Sequence, residues 1–345
     1  VKIKSQFSLT VLISEHRLER LLPFIDYIIN IDKSHNAHLG TPQEVLPEMQ
    51  QVPPIIKIGR KLELSPLPLT VETFPKIELD EKIPIKETEN HEQPKETHVA
   101  LNLVNVSTQL DGKKILKNLS LDINFGEIQV LIGPNGSGKT TLLRTLMGLI
   151  PSEGQRLLFG KSITDKPVSH ITQEIAYLPQ NPNDLLFAES VIEELEITLR
   201  NNNLPVDHKV LQEFLSRFGL NEKMSQYPRD LSVGERQRTA LAAVTVHQPE
   251  ILLLDEPTRG MAYDNKTSLK NLLRTFKGQN KAILLVTHDV EFAAELADRV
   301  SLLEQGKITY TGSPHKFFTH YPNYRTQVSK IFPKTSWINL EDAKF

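Results

Sequence analysis

The sequence predicts an α/β fold built around a mainly parallel sheet. Three apolar runs, at residues 128–132, 251–254 and 282–287, have the length of buried strands, and a helical pattern follows each run. Buried strands that alternate with helices are typical of a parallel sheet covered on both faces. The polar residues that come directly after these strands are therefore expected at one edge of the sheet, where such folds bind ligands.

The first strand leads into a glycine-rich loop and then a helix. The loop reads GPNGSGKTT from residue 133 to residue 141, with the G-x-x-x-x-G-K-[ST] spacing of a phosphate-binding loop. Its glycines allow backbone N–H groups to converge on a phosphate, and the helix N-terminus adds partial positive charge. In that role Lys139 reaches the β- and γ-phosphates, and Thr140 ligates Mg²⁺. The candidate phosphate-binding residues are Gly133, Pro134, Asn135, Gly136, Ser137, Gly138, Lys139, Thr140 and Thr141.

The other two strands end in residues suited to phosphoryl transfer. Asp255 and Glu256 follow the run at 251–254, where one carboxylate can hold Mg²⁺ and the other can polarise water. His288 ends the third strand, where it can contact a γ-phosphate and hold the attacking water in line. Alone, the acidic pair would be a solvated turn and the histidine a structural residue or helix cap. The phosphate loop in the same chain favours the functional interpretation.

Two further segments gain their meaning from the motifs around them. Ser232 and Glu235 have the S-x-x-E spacing of a helix capping box, and Gly234 between them permits close approach of an anion. This helix start could therefore meet a phosphate held by another domain, and the structural and functional interpretations are compatible. Gln180 could reach Mg²⁺ or the water through its amide oxygen, and only its place in the order of motifs favours this role.

The composition sets limits on the class of protein. The 345 residues are enough for two domains. A net charge of −2 gives no basic excess of the kind that nucleic-acid-binding proteins carry. The absence of cysteine excludes disulfides and thiolate metal sites, and no apolar run is long enough to cross a bilayer. The first residue is Val1, and we expect the chain to begin inside a longer one.

Residues 1–76 resemble the end of the chain. They predict a strand at 9–14, an amphipathic helix to about residue 24 and a strand at 27–32. A shift of 272 residues aligns this segment with a later one without a gap, which is typical of an internal repeat. The matched pairs include His16 and His288, Glu19 and Glu291, Asp26 and Asp298, Gly40 and Gly312, and Pro42 and Pro314.

The repeat predicts a division of the chain into four parts. Residues 1–76 would be the last third of a first domain, 98–318 a complete second domain and 319–345 its tail. Residues 77–97 carry seven acidic and three basic side chains, so we expect an extended, solvated linker. The complete copy begins with two alternating runs around Asp111-Gly112, which predict an antiparallel hairpin, and residues 188–227 are mostly helical in pattern.

The motif order resembles the nucleotide-binding domain of ABC ATPases: phosphate loop, glutamine loop, LSxGE, ILLLDEPT and VTH. The resemblance covers residues 99–318 and implies a P-loop NTPase fold with a mainly parallel core sheet, an antiparallel β subdomain and a helical subdomain. The phrases LFAESVIEEL at 186–195 and EPTRG at 256–260, with the tail at 332–341, resemble the energy-coupling factor (ECF) group. Those proteins serve bacterial importers of vitamins and transition metals. Some carry two ATPase domains on one chain, which would explain the repeat.

The resemblance implies ATP and Mg²⁺ as ligands and assigns roles to residues. The segment at 231–235, which we call the signature segment, would press on ATP held by the opposite domain through Ser232 and Gly234. Glu256 would be the catalytic carboxylate and His288 the switch histidine. The implied catalytic set is Glu256, His288, Lys139 and Gln180, and the implied metal set is Thr140, Gln180 and Asp255.

The resemblance also implies partners and a location. The chain would be a peripheral ATPase subunit on the cytoplasmic side of the cell membrane. An integral-membrane coupling protein would dock near Gln180 and residues 188–227, and a separate membrane protein would capture the substrate. A second ABC ATPase domain, from the same protein or another subunit, would complete the ATP sandwich. No nucleic acid is expected as a partner.

Three positions depart from the family pattern. Val233 replaces the first glycine of the usual LSGG, Ala262 replaces the aspartate of the usual GLD, and Leu110 replaces the aromatic residue that stacks on adenine. These changes predict two unequal nucleotide sites. His16 would be the switch histidine of the first domain.

Two alternatives compete with the importer subunit. A soluble tandem ABC protein acting on ribosomes or DNA would be expected to carry basic helical arms, whereas the segment at 77–97 is acidic. A degraded copy that binds ATP but hydrolyses it poorly is disfavoured because Lys139, Glu256 and His288 are all present.

Overall fold

The computed structural model describes most of the chain. The linker predicted at 77–97 and the candidate histidine at position 16 lie outside the described residues. No helix within the described ranges is both long and apolar enough to cross a bilayer. The described ranges are 9–15, 18–32, 36–76 and 98–343.

The chain forms two compact units, which are considered separately below. Their limits differ from the predicted division at residues 76, 97 and 318, and that division stays a prediction. The first unit comprises Val1–Glu89, Ala262–Asp264 and Phe318–Phe345, and the second comprises Asn90–Met261 and Asn265–Phe317.

A β-hairpin and two helices form the N-terminal part of the first unit. Strand β1 (Ile28–Ile31) pairs antiparallel with β2 (Ala37–Gly40), in agreement with the strand predicted at 27–32. Helices α1 (Pro42–Val45) and α2 (Pro54–Lys61) follow. Both helices begin at a proline, whose fixed φ and missing N–H suit the first helical position.

The second unit begins with a long hairpin. Strand β3 (Val99–Leu110) pairs antiparallel with β4 (Lys113–Asn124), as the alternating pattern predicts. The two residues between them, Asp111 and Gly112, have φ values of 47° and 76°. Positive φ at both positions matches the twist of a two-residue hairpin, so the Asp-Gly pair sets the register.

The remaining elements are β5 (Ile128–Ile132), α3 (Lys139–Leu146), β6 (Glu153–Leu158), β7 (Lys161–Ser162), α4 (Val168–Ile171), β8 (Ile175–Leu178), α5 (Val191–Asn201), α6 (His208–Arg217), α7 (Val233–Thr245), β9 (Ile251–Asp255), α8 (Tyr263–Gly278), β10 (Ala282–Val286), α9 (Val290–Leu296), β11 (Arg299–Glu304), β12 (Lys307–Gly312), α10 (Pro314–His320) and α11 (Gln327–Ile331). Among them, strands β5, β8, β9 and β10 are each followed by a helix. Their succession confirms the predicted α/β class.

Two sheets organise the second unit. Six strands form a sheet in the order β12-β11-β5-β10-β9-β8, in which only the β11–β12 pair is antiparallel. Strands β5, β9 and β10 are buried at every residue, as continuous apolar runs predict for a sheet covered on both faces. The antiparallel sheet has the order β4-β3-β6-β7. The carboxyl ends of β5, β9 and β10 therefore meet at one edge.

Two predictions for the start of the chain are wrong. The run at 9–14 forms no strand and exposes its side chains, and the predicted helix is reduced to a 3₁₀ turn at Leu18–Arg20. The cause is visible in the second copy, where the matching strand β10 pairs with β5 on one side and β9 on the other. An apolar run without such neighbours cannot satisfy its backbone hydrogen bonds as a strand.

The repeat is also visible in strand register. Strand β1 pairs Ile28 with Gly40, and β11 pairs Val300 with Gly312, so both partners are displaced by the same number of residues. Burial differs between the copies. Strand β11 pairs with β5 on its other side and buries its central residues, whereas Ile29 in β1 is 53% exposed. The hairpin at 28–40 thus shares the register of the β11–β12 pair, but within the described residues no strand pairs with the outer edge of β1.

The core of the first unit joins the N-terminal helices to the C-terminal tail. The side-chain oxygen of Gln327 in α11 accepts a hydrogen bond of 3.0 Å from the backbone N–H of Ile55 in α2. Trp337, the only tryptophan, meets Phe332 edge to face with ring centroids 5.2 Å apart. We call this core the tail cluster; its buried members are Leu22, Ile28, Val45, Leu46, Val52, Ile55, Ile56, Ile58, Leu67, Phe74, Val328, Phe332, Trp337 and Ala343.

Substitution of Ile56 by alanine tests the tail cluster. Ile56 is fully buried, so its loss is expected to destabilise the first unit by about 2–5 kcal/mol through lost burial and a residual cavity. Leu39 is 70% exposed, and Leu39→Ala is expected to change stability by less than about 0.5 kcal/mol. Urea unfolding followed by Trp337 fluorescence measures both. Equal effects of the two variants would contradict the packing.

Candidate functional site

Strand β5 delivers the chain into the phosphate loop at the carboxyl edge of the parallel sheet. Directly after it, Gly133 lies against β11, and a Cβ at this position would collide with the carbonyl oxygen of Leu303. Gly138 has a φ of 109°, which side chains rarely tolerate, and α3 begins at the next residue. The backbone therefore requires glycine at both positions, for close approach in one case and for conformation in the other.

Lys139 folds back over its own loop. Its Nζ donates hydrogen bonds to the carbonyl oxygens of Gly133 at 2.8 Å and Pro134 at 3.0 Å. Burial lowers the pKa of the Lys139 ammonium, and the charges of Glu256 and Asp255 act in the opposite direction. A cation that is partly desolvated in this way gains from a bound anion.

A hydrogen bond joins the phosphate loop to the end of β9. The Thr140 hydroxyl donates to Oδ2 of Asp255 at 2.7 Å. Asp255 is 1% exposed; burial raises the pKa of its carboxyl group, and the hydrogen bond from Thr140 partly offsets that rise. The pair offers two adjacent oxygen donors, the ligand type that Mg²⁺ prefers. A bound cation would also favour the ionised carboxylate.

Glu256 and His288 form the second pair at this edge. Oε2 of Glu256 lies 2.6 Å from Nδ1 of His288 and accepts a hydrogen bond of 3.2 Å from the His288 backbone N–H. The Glu256 side chain is 9% exposed and that of His288 is 42% exposed, so the imidazole faces outward from a buried carboxylate. Glu256 has a φ of 52°, a costly conformation for a residue with a side chain and one that is frequent at functional sites.

The rest of the loop fits a phosphate ligand. Ser137 is buried, and its Oγ finds no hydrogen-bond partner in the described part of the chain. A buried hydroxyl without a partner is costly, and a phosphate oxygen would satisfy it. Pro134, Asn135 and Gly136 are exposed, and a Cβ at Gly136 would meet no atom within 4 Å. Thr141 lies half-buried in the first turn of α3.

The other predicted residues have their own local surroundings. Gln180 is exposed just after β8, the neighbour of β9 in the sheet. Ser232 caps α7: its Oγ accepts from the Glu235 backbone N–H at 3.3 Å, and the Glu235 carboxylate accepts from the Ser232 N–H at 2.9 Å. The predicted capping box is therefore confirmed. Within the described ranges no hydrogen bond joins Gln180, Ser232 or Gly234 to the phosphate loop.

The three unusual positions have distinct surroundings. Leu110 ends β3 with 38% of its surface exposed. Val233 is 44% exposed at the start of α7, beside Gly260 of the loop that follows Glu256. Ala262 belongs to the first unit.

One contact near the site was not anticipated from the sequence. Nη1 of Arg238 in α7 donates to Oδ1 of Asn265 in α8 at 2.6 Å. A Cβ at Gly234 would collide with the same Asn265 amide. The only sequence signal was the presence of a polar residue in the first turn of a predicted helix, which is too common to indicate a role.

Comparison with known proteins identifies the family of the chain. Residues 116–259 match the profile of the ABC transporter family. A "Putative ABC transporter ATP-binding protein" of Streptomyces coelicolor is 31% identical over 97% of this chain and 65% of its own length. A protein of the same name from Clostridium tetani is 32% identical over 94% of this chain and 74% of its own length. The chain thus spans less than two thirds of the first relative.

A solved structure of an ABC transporter component also resembles this chain. The protein cbiO1 of Clostridium perfringens, described as part of the ABC transporter complex cbiONQ, is 26% identical. It superimposes with a TM-score of 0.58 over 65% of this chain and 92% of its own. The predicted fold type is therefore confirmed. The phosphate loop lies within residues 116–259, which match the family profile. The chain belongs to the family of ABC transporter ATP-binding proteins.

Proposed function

We propose that the chain is the ATP-hydrolysing subunit of an ECF-type importer. The observation that carries this proposal is the meeting of two pairs at one sheet edge, Thr140 with Asp255 and Glu256 with His288. Three parallel strands hold these pairs, so the site is preorganised before any ligand binds.

The phosphate loop would bind ATP. Lys139 exchanges its contacts with Gly133 and Pro134 for the β- and γ-phosphates, and the orphaned Ser137 hydroxyl gains a partner. Thr140 and Asp255 would hold Mg²⁺, with Gln180 as a further oxygen donor. The cation would supply charge neutralisation on the transferred phosphoryl group.

Glu256 and His288 would act on the attacking water. The buried Glu256 carboxylate accepts a proton or polarises the water, and the imidazole holds the water in line with the γ-phosphate. Because the transition state of phosphoryl transfer is loose, positioning and charge contribute more than covalent chemistry.

A second nucleotide-binding domain would complete the site. Ser232 and Gly234 stand at the N-terminus of α7, a place suited to a phosphate held by an opposite domain. The shared register of the two hairpins supports a repeated ATPase domain, with residues 1–76 as the end of the first copy. Val233, Leu110 and Ala262 would make the two sites unequal.

The family of the chain supports membrane partners. The likeness to cbiO1, described as part of a transporter complex, supports an integral-membrane coupling protein that docks near Gln180 and residues 188–227. A separate membrane protein would capture the cargo, a vitamin, vitamin precursor or transition metal ion. The subunit would then work as a peripheral protein on the cytoplasmic side of the membrane.

Replacement of Lys139 tests nucleotide binding. Lys139→Ala in the full-length protein is expected to weaken ATP binding at this site by at least about tenfold, because it removes a charge-assisted contact to phosphate. Lys161→Ala changes an exposed lysine of β7 and serves as the matched control. Binding of a fluorescent ATP analogue measures both. Equal affinities for the two variants would contradict the assignment.

Replacement of Glu256 tests catalysis. Glu256→Gln is expected to lower ATP hydrolysis by about 10²–10⁴-fold while ATP binding persists, because the amide cannot accept a proton. Glu153→Gln, at an exposed position in β6, should hydrolyse ATP at the parent rate. If Glu256→Gln hydrolyses ATP as fast as the parent, catalysis does not take place at this site.

Co-purification distinguishes the importer from the soluble switch. Affinity purification of the full-length protein from detergent-solubilised membranes is expected to recover an integral membrane protein. Phe187, whose side chain is 74% exposed beside α5, is a candidate contact, so Phe187→Glu should reduce that recovery at least about tenfold. Recovery of ribosomes instead would favour the soluble alternative.

A further inference from the structure

The first turn of α8 connects two loops of the site. Helix α8 begins at Tyr263, and Asn265 and Lys266 occupy its first turn. Asn265 contacts the helix that starts at the signature segment, and Lys266 contacts the residue that follows His288. Two adjacent positions in one helical turn therefore contact two elements for which different roles are predicted.

The contact between Asn265 and α7 depends on close packing. Arg238 donates to the Asn265 side-chain oxygen at 2.6 Å, which turns the amide nitrogen toward Gly234. Gly234 is buried and leaves no room for a Cβ. Burial lowers the pKa of the Arg238 guanidinium, so this charge is held at a cost. A displacement of Asn265 would displace the N-terminal turn of α7 with it.

The contact with the histidine loop is a buried ion pair. Nζ of Lys266 lies 2.5 Å from Oδ2 of Asp289, and the two side chains are 13% and 11% exposed. Oδ1 of Asp289 also accepts from the Phe292 backbone N–H at 3.2 Å and caps α9. Because Asp289 follows His288 directly, Lys266 fixes the backbone that presents the imidazole.

Other ion pairs of α8 provide a comparison. Lys270 with Glu295 and Lys277 with Asp298 also join α8 to the α9 region, at 2.5 Å each. These pairs lie further along α8, and within the described ranges neither lysine forms a hydrogen bond or ion pair with α7. These two pairs attach α8 to the α9 region. The first turn of α8 also contacts both α7 and the residue after His288.

We propose that the first turn of α8 couples the His288 loop to the signature segment. Asn265 and Lys266 are positioning residues: one holds the N-terminus of α7 and the other holds the backbone beside His288. A shift of the histidine when the γ-phosphate arrives or leaves at one site is passed to the segment that addresses the opposite nucleotide. This inference rests on the proposed function, because only a second nucleotide gives the signature segment a ligand.

Steady-state kinetics of the full-length protein test the coupling. Asn265→Ala and Lys266→Met are each expected to lower kcat about tenfold, with the affinity for a fluorescent ATP analogue unchanged within about twofold. The double variant should be no slower than about the slower single variant, since both changes break one connection. Matched control Lys270→Met should retain kcat within about twofold.

Conservative variants separate positioning from folding. Asn265→Asp keeps an acceptor for Arg238, and Lys266→Arg keeps the charge that pairs with Asp289, so both should restore at least about half of the parent kcat. Thermal unfolding by circular dichroism identifies any variant that does not fold. The conservative variants keep the test decisive in that case, because a loss of kcat in folded Asn265→Asp and Lys266→Arg overturns the proposal.

Other outcomes also overturn it. If Lys270→Met lowers kcat as much as Lys266→Met does, the contacts only attach α8 to its neighbours. If the losses in kcat of the two single variants multiply in the double variant, Asn265 and Lys266 act independently. Glu256→Gln is measured in parallel. If it hydrolyses ATP at the parent rate, the proposed function fails. If it is inactive while Asn265→Ala and Lys266→Met match the parent, only the coupling fails.

Discussion

The parallel pairing of β10 with β5 on one side and β9 on the other determines the geometry of the site. It sets Val286 opposite Asp255, so that the carboxyl ends of β5, β9 and β10 lie at the same edge of the sheet. The hydrogen bond between Thr140 and Asp255, whose partners are 115 residues apart, exists only because of that register. The chain thus obtains a polar, reactive edge from three strands that are themselves entirely buried. Each strand thus contributes to stability through its buried residues and to chemistry through the polar residues at its carboxyl end.

Much of this arrangement could be predicted because its signals are local. An apolar run followed by Gly-x-x-x-x-Gly-Lys-Thr predicts strand, loop and helix together, because the backbone of the loop requires glycine at these positions. The capping box of Ser232 and Glu235 is likewise complete within four residues. The hairpin turn at Asp111-Gly112 needs only two positive φ values. The local structure could be predicted from the sequence wherever it depends only on residues that are neighbours in the chain.

Roles that depend on distant partners could not be predicted in this way. The run at 9–14 has the same apolar pattern as β10, yet it forms no strand, because a strand is defined by neighbours that pattern alone cannot supply. Asn265 and Lys266 have no motif, and their importance arises only when α8 lies against α7 and the loop after His288. The orphaned hydroxyl of Ser137 is another case, since a missing partner becomes apparent only after folding.

In the part of the chain that the structure describes, β1 and β2 pair only with each other, and this has a consequence for handling the protein. Ile29, Ile31 and Leu39 expose more than half of their surface, and β1 matches a strand that is internal to a sheet in the second copy. An apolar edge with free backbone groups is a template for pairing with any extended chain. Preparations in which this edge stays bare would self-associate by strand addition as concentration rises. Solubility would then depend on whichever segment covers the edge, independently of the nucleotide site.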